Sequence, residues 1–457
     1  MKKLLLLITI NILATTVIYA QCWSKIASGN ASHTMAIKTD GTLWAWGKND
    51  FGQLGDGTTI YREVPTQIGV ATNWNQVAAG DYHTMAIKTD GTLWGWGYNT
   101  SGQLGDGTTV TKKIPTQIGL ATNWARVEVG ETHTIALKTD GTLWTWGKNT
   151  YGQLGDGTTL AKNTPTQIGT ANNWATLSAG LFHTMAIKTD GTLWAWGSNS
   201  SGRLGDGTTI NKNIPTQIGT ATNWAKVDLG DYFSLALKTN GTLWAWGANT
   251  DGELGDATNI DKHSPTQVGT ATTWTQISAG ASTAVALKTD GTLWTWGSNT
   301  DGGLGNGTNT NTNTPAQMGT ATTWVKIWVA KHHVLALKTD ATLWAWGSNT
   351  YGQLGNGTVD DKNLPIPVSC TAVGLNDVAT LNGIDVYPNP IENNVTIRLQ
   401  MLSNATLQVY NVVGETLFTQ QLNNVVSVVN TELLSKGTYL FKITSNENSV
   451  TKKVIKN

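Results

Sequence analysis

Five histidines, His33, His83, His133, His183 and His333, share one position of a fifty-residue period. Imidazoles at fixed spacing raise the idea of a metal ring. The position becomes Phe233 and Thr283 in two units, and equivalent points on separate repeats lie too far apart to share one ion. Each histidine is therefore predicted to cap its own strand by hydrogen bonding. A second series, Asp56, Asp106, Asp156, Asp206 and Asp256, invites acid–base chemistry by paired carboxylates. These lie in Gly-Asp-Gly or Gly-Asp-Ala turns, where aspartate bonds the backbone, and Asn306 and Asn356 replace them as a turn role allows and a general acid does not. The Gly-x-Gly patterns precede no helix that could receive a phosphate, and no Gly-x-Ser-x-Gly elbow exists. The residues offer no catalytic set, no metal site and no cofactor site.

The elements around these residues are strands. Trp44-Ala45-Trp46 returns at Trp94/Trp96, Trp144/Trp146, Trp194/Trp196, Trp244/Trp246, Trp294/Trp296 and Trp344/Trp346, seven copies without an insertion. A lone tryptophan precedes each copy, from Trp23 to Trp324, and a proline recurs from Pro65 to Pro365. In one unit, residues 65–68, 74–79, 83–89 and 92–96 read as short strands bounded by turn residues. Asp90-Gly91 reads as a two-residue hairpin of primed type. Four antiparallel strands repeated seven times predict an all-β fold, a seven-bladed β-propeller of four-stranded blades, with the paired tryptophans filling the gaps between sheets.

The run Gly80-x-x-His83-Thr84, Lys88-Thr-Asp90-Gly91-Thr-Leu93-Trp94-x-Trp96-Gly97-x-Asn99 and Gly102-Gln-Leu104-Gly105-Asp-Gly107 resembles the repeat of the regulator of chromosome condensation family. The resemblance spans seven copies from Trp23 to about Val368. It implies a seven-bladed propeller that binds proteins through one face, and it makes the repeated histidine part of a structural consensus. It implies no single activity. Nucleotide exchange on a nuclear GTPase does not suit a secreted chain whose uniform spacing leaves no room for an inserted wedge.

Two cysteines, Cys22 and Cys370, bear on how the ring closes. The short stretch from Ile68 to Trp74 reads as a hairpin, and the Gly-rich stretch from Gly97 to Pro115 as the crossover between blades. On that reading the strand at Pro365–Val368 completes the blade that starts at Trp23. Counted back by the period, Cys370 corresponds to Val70, and Cys22 sits just before Trp23 as Asn73 sits before Trp74; a turn brings such positions within disulfide reach. A Cys22–Cys370 bridge would replace the missing connection.

Residues 1–20 read as a secretory signal: Lys2 and Lys3, an apolar run broken by Thr9 and Asn11, and Ala20 before the cut. Residues 21–370 form the propeller, 371–383 a linker, and 384–457 a small all-β, sandwich-like domain. Val386-Tyr-Pro-Asn-Pro390, Val409-Tyr-Asn-Val-Val-Gly414, Leu434-Ser-Lys-Gly437-Thr-Tyr439 and Lys452-Lys453 resemble the C-terminal sorting domain of the Por, or type IX, secretion system. That implies export to the outer cell surface or the medium, with the secretion machinery as a partner of the tail. Gly 51 and Trp 22 lie far above ordinary usage, while charged residues make up 13% and the net charge is zero. Such a chain lacks the basic footprint of a nucleic-acid binder, and the mature chain is expected to have no transmembrane segment.

Strand direction alternates, so loops divide between two faces. The Asp-Gly hairpins and Ala-Thr-Asn connections are almost identical in every unit. The loops before each histidine differ: Asp81-Tyr82, Glu131-Thr132, Leu181-Phe182, Asp231-Tyr232, Ala281-Ser282 and Lys331-His332. Crossover tips add Phe51, Tyr61, Arg62 and Tyr151. Uniform repeats varied at one rim predict a face for a protein or glycan partner. The second reading is a secreted hydrolase with its site in the propeller's central mouth.

Overall fold

A computed structural model describes residues 22–28, 32–369, 384–399, 405–411, 415–445 and 448–457. The expected signal 1–20, Cys370 and the linker 371–383 lie outside the described residues. The chain divides into two compact units, Met1–Cys370 and Thr371–Asn457.

The first unit is a ring of seven four-stranded antiparallel sheets. Blade one is built of Trp23–Ala27, His33–Lys38, Leu43–Gly47 and Arg62–Gln67, from the axis outward. Blade seven is built of Trp324–Val329, His333–Lys338, Leu343–Gly347 and Lys362–Val368. Each sheet uses four consecutive strands, and this corrects the expected closure. The strand carrying Pro365 pairs with Leu343–Gly347 of its own blade, not with the blade that starts at Trp23. The short Ile68–Trp74 connection is the one that passes between blades. It runs beneath the preceding hairpin, where Trp74 N–H donates to Gly41 carbonyl at 3.2 Å. Six residues can span about 20 Å, enough to step from an outer strand to the next inner one. The Gly-rich stretch stays within its blade as a compact turn.

Period-2 alternation sets the packing. Trp46, Trp96, Trp146, Trp196, Trp246, Trp296 and Trp346 are fully buried between sheets. The lone tryptophan of each unit meets the pair edge-on; Trp74 lies 5.8 Å from Trp94 and 6.0 Å from Trp96. Lys88 Nζ sits 3.9 Å above the Trp94 ring and covers the partly exposed member.

The Asp-Gly hairpins differ from the primed two-residue form. Gly91 N–H donates to Lys88 carbonyl at 3.0 Å and Lys88 N–H to Thr92 carbonyl at 3.1 Å, which makes a three-residue loop. Gly91 has φ +75 while Asp90 does not enter the left-handed region. Asp90 Oδ1 instead accepts from the Thr92 amide and hydroxyl at 3.0 and 2.6 Å, and this local bonding favours the longer loop.

Between blades the repeated polar residues act as fasteners. His83 Nε2 lies 3.0 Å from Thr134 Oγ1 of the next blade, and His33, His133 and His333 make the same contact with Thr84, Thr184 and Thr34. The histidine thus binds its neighbour and does not cap its own strand. Burial pushes His33, His83, His133 and His333 down to about 3. Gln53 carbonyl accepts from both Thr84 Oγ1 at 2.8 Å and Trp96 Nε1 at 2.9 Å across the same interface.

The second unit has a sheet of Ile384–Tyr387, Asn394–Leu399 and Val426–Asn430, and another of Thr416–Leu422, Ala405–Asn411, Gly437–Ser445 and Asn448–Lys456. Val395, Ile397, Leu407, Val409, Phe441 and Ile443 form its buried core. Asn389 fastens the Tyr-Pro-Asn-Pro segment to the last strand, donating to Lys453 carbonyl and accepting from Ile455 N–H, both at 2.9 Å.

Candidate partner-binding face

In blades two to seven the loop before the second strand turns at the propeller axis. A Cβ on Gly80 would sit 2.4 Å from Gly130 carbonyl, and one on Gly130 would sit 2.5 Å from Gly180 carbonyl. Neighbouring loops therefore approach backbone to backbone. Farther round, Asp231 N–H donates to Ala281 carbonyl at 3.3 Å and Ala281 N–H to Lys331 carbonyl at 3.1 Å. The following residues, Tyr82, Phe182, Tyr232 and His332, stand on the rim of this ring.

The predicted face residues divide into three groups. The first is aromatic. Phe51 of blade one packs against Tyr82 and Tyr98 of blade two at 5.5 and 4.7 Å. Tyr151 meets Phe182 at 5.2 Å, and Tyr61 meets Tyr351 at 5.3 Å. Tyr61 hydroxyl donates to Asp50 at 2.5 Å, which pushes its pKa up to about 12. Tyr232 is 43% exposed, with the Arg203 guanidinium 4.6 Å over its ring. These rings are held by neighbours while one side stays accessible.

The second group is buried and charged. Asp81 and Asp231 are only 5% and 6% exposed. Lys331 Nζ lies 3.0 Å from Asp81 Oδ2, a contact from blade seven to blade two. Burial pushes Asp81 up to about 7 despite the Lys331 ammonium, and burial also raises Asp231 and the half-buried Glu131. Burial pulls Lys331 down, but Asp81 and Asp231 outweigh it and hold the ammonium above its usual range. Burial lowers His332, 3.5 Å from Asp301, despite that carboxylate. Leu181 is buried and closes part of the ring.

Arg62 forms the third group alone. Its guanidinium Nε donates to Asp56 Oδ2 at 2.8 Å. Lys112, Lys162, Lys212 and Lys262 hold the matching aspartates at 3.1–3.5 Å, so Arg62 belongs to the repeated turn. Asp56 also accepts from Thr58 N–H and Asn49 Nδ2, the backbone-serving role expected of the series. Burial alone would raise its pKa, but these bonds and Arg62 hold it below the usual range.

One set of face residues escaped sequence reasoning. Gln53, Gln103, Gln153, Arg203, Glu253, Gly303 and Gln353 share a position whose backbone fastens the next blade. The glutamine side chains accept from the amide two residues earlier in their own turn, whereas Arg203 reaches the next loop, donating from Nη1 to Asp231 carbonyl at 2.9 Å. The signal was the change from Gly-Gln-Leu-Gly to Gly-Arg, Gly-Glu and Gly-Gly in successive units. Where Gly303 and Thr283 replace the bulkier pair, a pocket of about 180 Å³ opens beside Asp251, Asp301 and His332.

Below the mouth, the inner strands surround a channel of about 590 Å³. It contains Glu128 and Asp228, the two carboxylates nearest to a hydrolase constellation. Asp228 Oδ2 accepts from Ala279 N–H of the next blade at 3.0 Å, and Oδ1 from Ser178 hydroxyl at 3.3 Å. Burial still pushes Asp228 up to about 6. Gln76 and Gln276 bond the next inner strand's carbonyls in the same way, at 3.0 Å. Channel side chains thus satisfy the free edges of inner strands. Among the described residues no group of three or more His, Cys, Asp or Glu is placed to hold a metal ion. No helix among them is long and apolar enough to cross a membrane.

Residues 15–225 match the RCC1-like domain, and residues 240–287, 290–337 and 340–378 match the regulator of chromosome condensation (RCC1) repeat. Residues 385–457 match the secretion system C-terminal sorting domain. Human WBSCR16 is similar in structure, with TM-score 0.66 and 21% identity over 72% of this chain and 94% of that one. Prp20p of Saccharomyces cerevisiae gives TM-score 0.67 and 19% identity over 77% and 90%. Sequence relatives match short stretches. The RCC2 homolog of Danio rerio is 50% identical over 46 residues, 10% of this chain and 9% of its own. An endo-acting ulvan lyase of Formosa agariphila is 32% identical over 74 residues, 16% and 14%. The chain spans less than a tenth of the length of the RCC2 relatives it matches. Seven blades of RCC1-like repeats, followed by a secretion-system C-terminal sorting domain, make up this protein.

Proposed function

We propose that this protein is a secreted or surface-held binding platform, without enzymatic activity, that presents the variable propeller face to a protein partner. The observation that carries the reading is the rim of half-exposed aromatic rings, Phe51, Tyr82, Tyr151, Phe182 and Tyr232, set on a scaffold whose opposite face barely varies. Rigid aromatic residues lose little entropy on binding and commonly anchor interfaces. Propellers built of these repeats bind proteins, and the structure of Prp20p is described together with binding to Gsp1p and histones. The sorting domain supports export by a type IX-like route, with its machinery as the tail's partner.

The test is capture of a binding partner by the full chain. Tyr82→Ala, Phe182→Ala and Tyr232→Ala are expected to weaken binding by about 2 kcal/mol or more at anchor positions. Thr89→Ala and Thr122→Ala, on the uniform face, leave it unchanged. Weakening by the threonine changes alone would assign the wrong face. The hydrolase reading draws on Glu128 and Asp228 at raised pKa in one channel. Polysaccharide or peptide cleavage abolished by Asp228→Asn would establish it instead.

A further inference from the structure

Three positions change together at the interface of blades six and seven. Thr283 stands where most blades have histidine, Val334 where most have a hydroxyl, and Gly303 where most have glutamine. Thr283 turns back on its own blade, its Oγ1 donating to Ser298 carbonyl at 2.9 Å. The tryptophan fastener survives, with Trp346 Nε1 donating to Gly303 carbonyl at 2.9 Å. What the interface loses is side-chain volume, and the pocket of about 180 Å³ takes its place. Thr283 and Gly303 are buried at its floor, while Asp301 and His332, 3.5 Å apart, keep 38% and 46% of their side chains exposed at its rim.

The glutamine has a definite task in the other blades. Oε1 of Gln53, Gln103, Gln153 and Gln353 accepts from the amide two residues earlier at 2.8–2.9 Å, and Glu253 Oε2 does the same at 2.7 Å. Gly303 offers no such acceptor, so Asp301 N–H has none among the described residues. The backbone does not demand glycine here. Gly303 has no positive φ, and a Cβ on it would press only on the Thr283 side chain, at 3.3 Å from Oγ1.

The groups around the pocket suit a carboxamide, which carries one carbonyl acceptor and two N–H donors. Asp301 N–H is the donor that an Oε1 takes elsewhere in the ring. Asp251 Oδ1 accepts from Asn311 at 3.1 Å and Asp301 Oδ2 faces His332, which leaves the second oxygen of each carboxylate for an incoming N–H. The Ser298 and Thr300 hydroxyls, 3.4 Å apart, add further acceptors. By contrast, Nε2 of Gln53, Gln103 and Gln153 is buried without a partner in its own turn. A carboxylate ligand would meet repulsion from Asp251 and Asp301, and an apolar one would leave the amide unpaired.

We propose that the pocket between blades six and seven receives one glutamine side chain of the protein partner, in place of the glutamine this blade lacks. The proposal rests on the reading of this face as a protein-binding surface and specifies its chemistry. The incoming carbonyl oxygen accepts from Asp301 N–H, and the amide nitrogen donates to the carboxylates and hydroxyls of the rim.

The experiment titrates the full chain, isotope-labelled, with N-acetylglutaminamide and follows the backbone amide signals. Matched probes carry norleucine or glutamate in place of glutamine, and methyl glucoside forms a separate arm. The glutamine probe is expected to shift the residue 301 amide downfield and to bind at least about tenfold tighter than either matched probe, a ratio that one well-made hydrogen bond supplies. Gly303→Gln is expected to fill the pocket from within, to give the 301 amide the same shift without probe, and to abolish binding. The probe comparison on unaltered protein stands even if this variant folds poorly. Equal binding of the norleucine or glutamate probe, no shift at residue 301 at the solubility limit, or undiminished binding by folded Gly303→Gln would each overturn the site. Methyl glucoside binding tighter than the glutamine probe would assign the pocket to a glycan and overturn it too. Loss of this site with partner capture still sensitive to Tyr82→Ala would leave the face reading intact.

Discussion

His333 Nε2 lies 3.0 Å from Thr34 Oγ1 and joins the last blade to the first with the contact that joins His83 to Thr134. Thr34 Oγ1 and Trp46 Nε1 both bond Gln353 carbonyl, at 3.2 and 2.9 Å, as Thr84 and Trp96 bond Gln53. The seam is therefore an ordinary interface, closed by side chains. Thr34→Val and Thr134→Val should each cost about 1–3 kcal/mol, because each leaves a buried imidazole and a carbonyl short of a partner. Denaturant unfolding checks this. A much smaller cost at Thr34 would show a seam weaker than the other interfaces.

Acid should open the ring. His33, His83, His133 and His333 are held near 3, and burial drives His183 well below 6.5. Folded-state values below the unfolded value mean the stability is complete above about pH 6.5 and is lost as pH falls towards 3. Each histidine adds to that loss, on the order of 1 kcal/mol per pH unit, partly offset by Asp81 and Asp228, whose raised values favour the folded state as they take up protons. A typical domain holds only about 5–15 kcal/mol, so cooperative unfolding is expected between about pH 6 and 4. His133→Phe copies the residue at 233 and should make the transition shallower by one proton. Unchanged circular dichroism at pH 4 would refute the coupling.

Ala341 marks the end of the array. In blades one to six a glycine fills this position because a Cβ would strike the next connection: from Gly291 it would lie 2.2 Å from Thr322 carbonyl. At the seam between blades seven and one the position is Ala341, which adopts φ +66. Ala341→Gly should therefore raise stability by about 1 kcal/mol by relieving left-handed strain. Gly291→Ala adds the collision to the same strain and should cost about 1–3 kcal/mol. Melting curves of the two variants should move in opposite directions.

The Cys22–Cys370 bridge remains an expectation with a direct test. Cys22 carbonyl accepts Thr39 N–H at 3.0 Å as Asn73 carbonyl accepts Thr89 N–H at 2.9 Å, so Cys22 holds the predicted connection position. Non-reducing peptide mapping of the exported protein should find the two cysteines linked, and Cys370→Ser should lower stability by about 2–4 kcal/mol. Two free thiols in oxidised protein would refute the bridge.

Export should leave its own trace. Mass spectrometry of the released protein is expected to find a start near Gln21 and an end soon after Cys370. Released protein still ending at Asn457 would count against a sorting role for the tail.

The blade count, strand positions and buried tryptophans were legible because period-2 patterning was repeated seven times without an insertion. Strand pairing was less so. Loop length pointed to Ile68–Trp74 as a hairpin, but the Gly-rich stretch folds back on Asn49 and Asp56 and so keeps Arg62–Gln67 in its own blade. The aromatic rim was legible as loop variation. The buried Asp81, Asp231 and Leu181 looked like rim residues because sequence does not reveal how closely the loops of blades two to seven crowd one axis. Arg203 was missed because it lies in a motif that reads as a turn.

The fasteners also bear on how such a gene can change length. Five of the seven interfaces use the same histidine–hydroxyl contact one period apart, with Phe233 and Thr283 in its place at the other two, and every blade closes on four consecutive strands. Recombination between two near-identical repeats, at any matching point, therefore removes or adds one whole blade and never leaves a fragment of a sheet. Copy number can drift in steps of fifty codons while each new junction inherits a working histidine–threonine pair or one of its tolerated substitutes. The variable rim is then shuffled as intact, foldable units, and a new binding face can arise from such rearrangement without passing through an unfolded intermediate sequence.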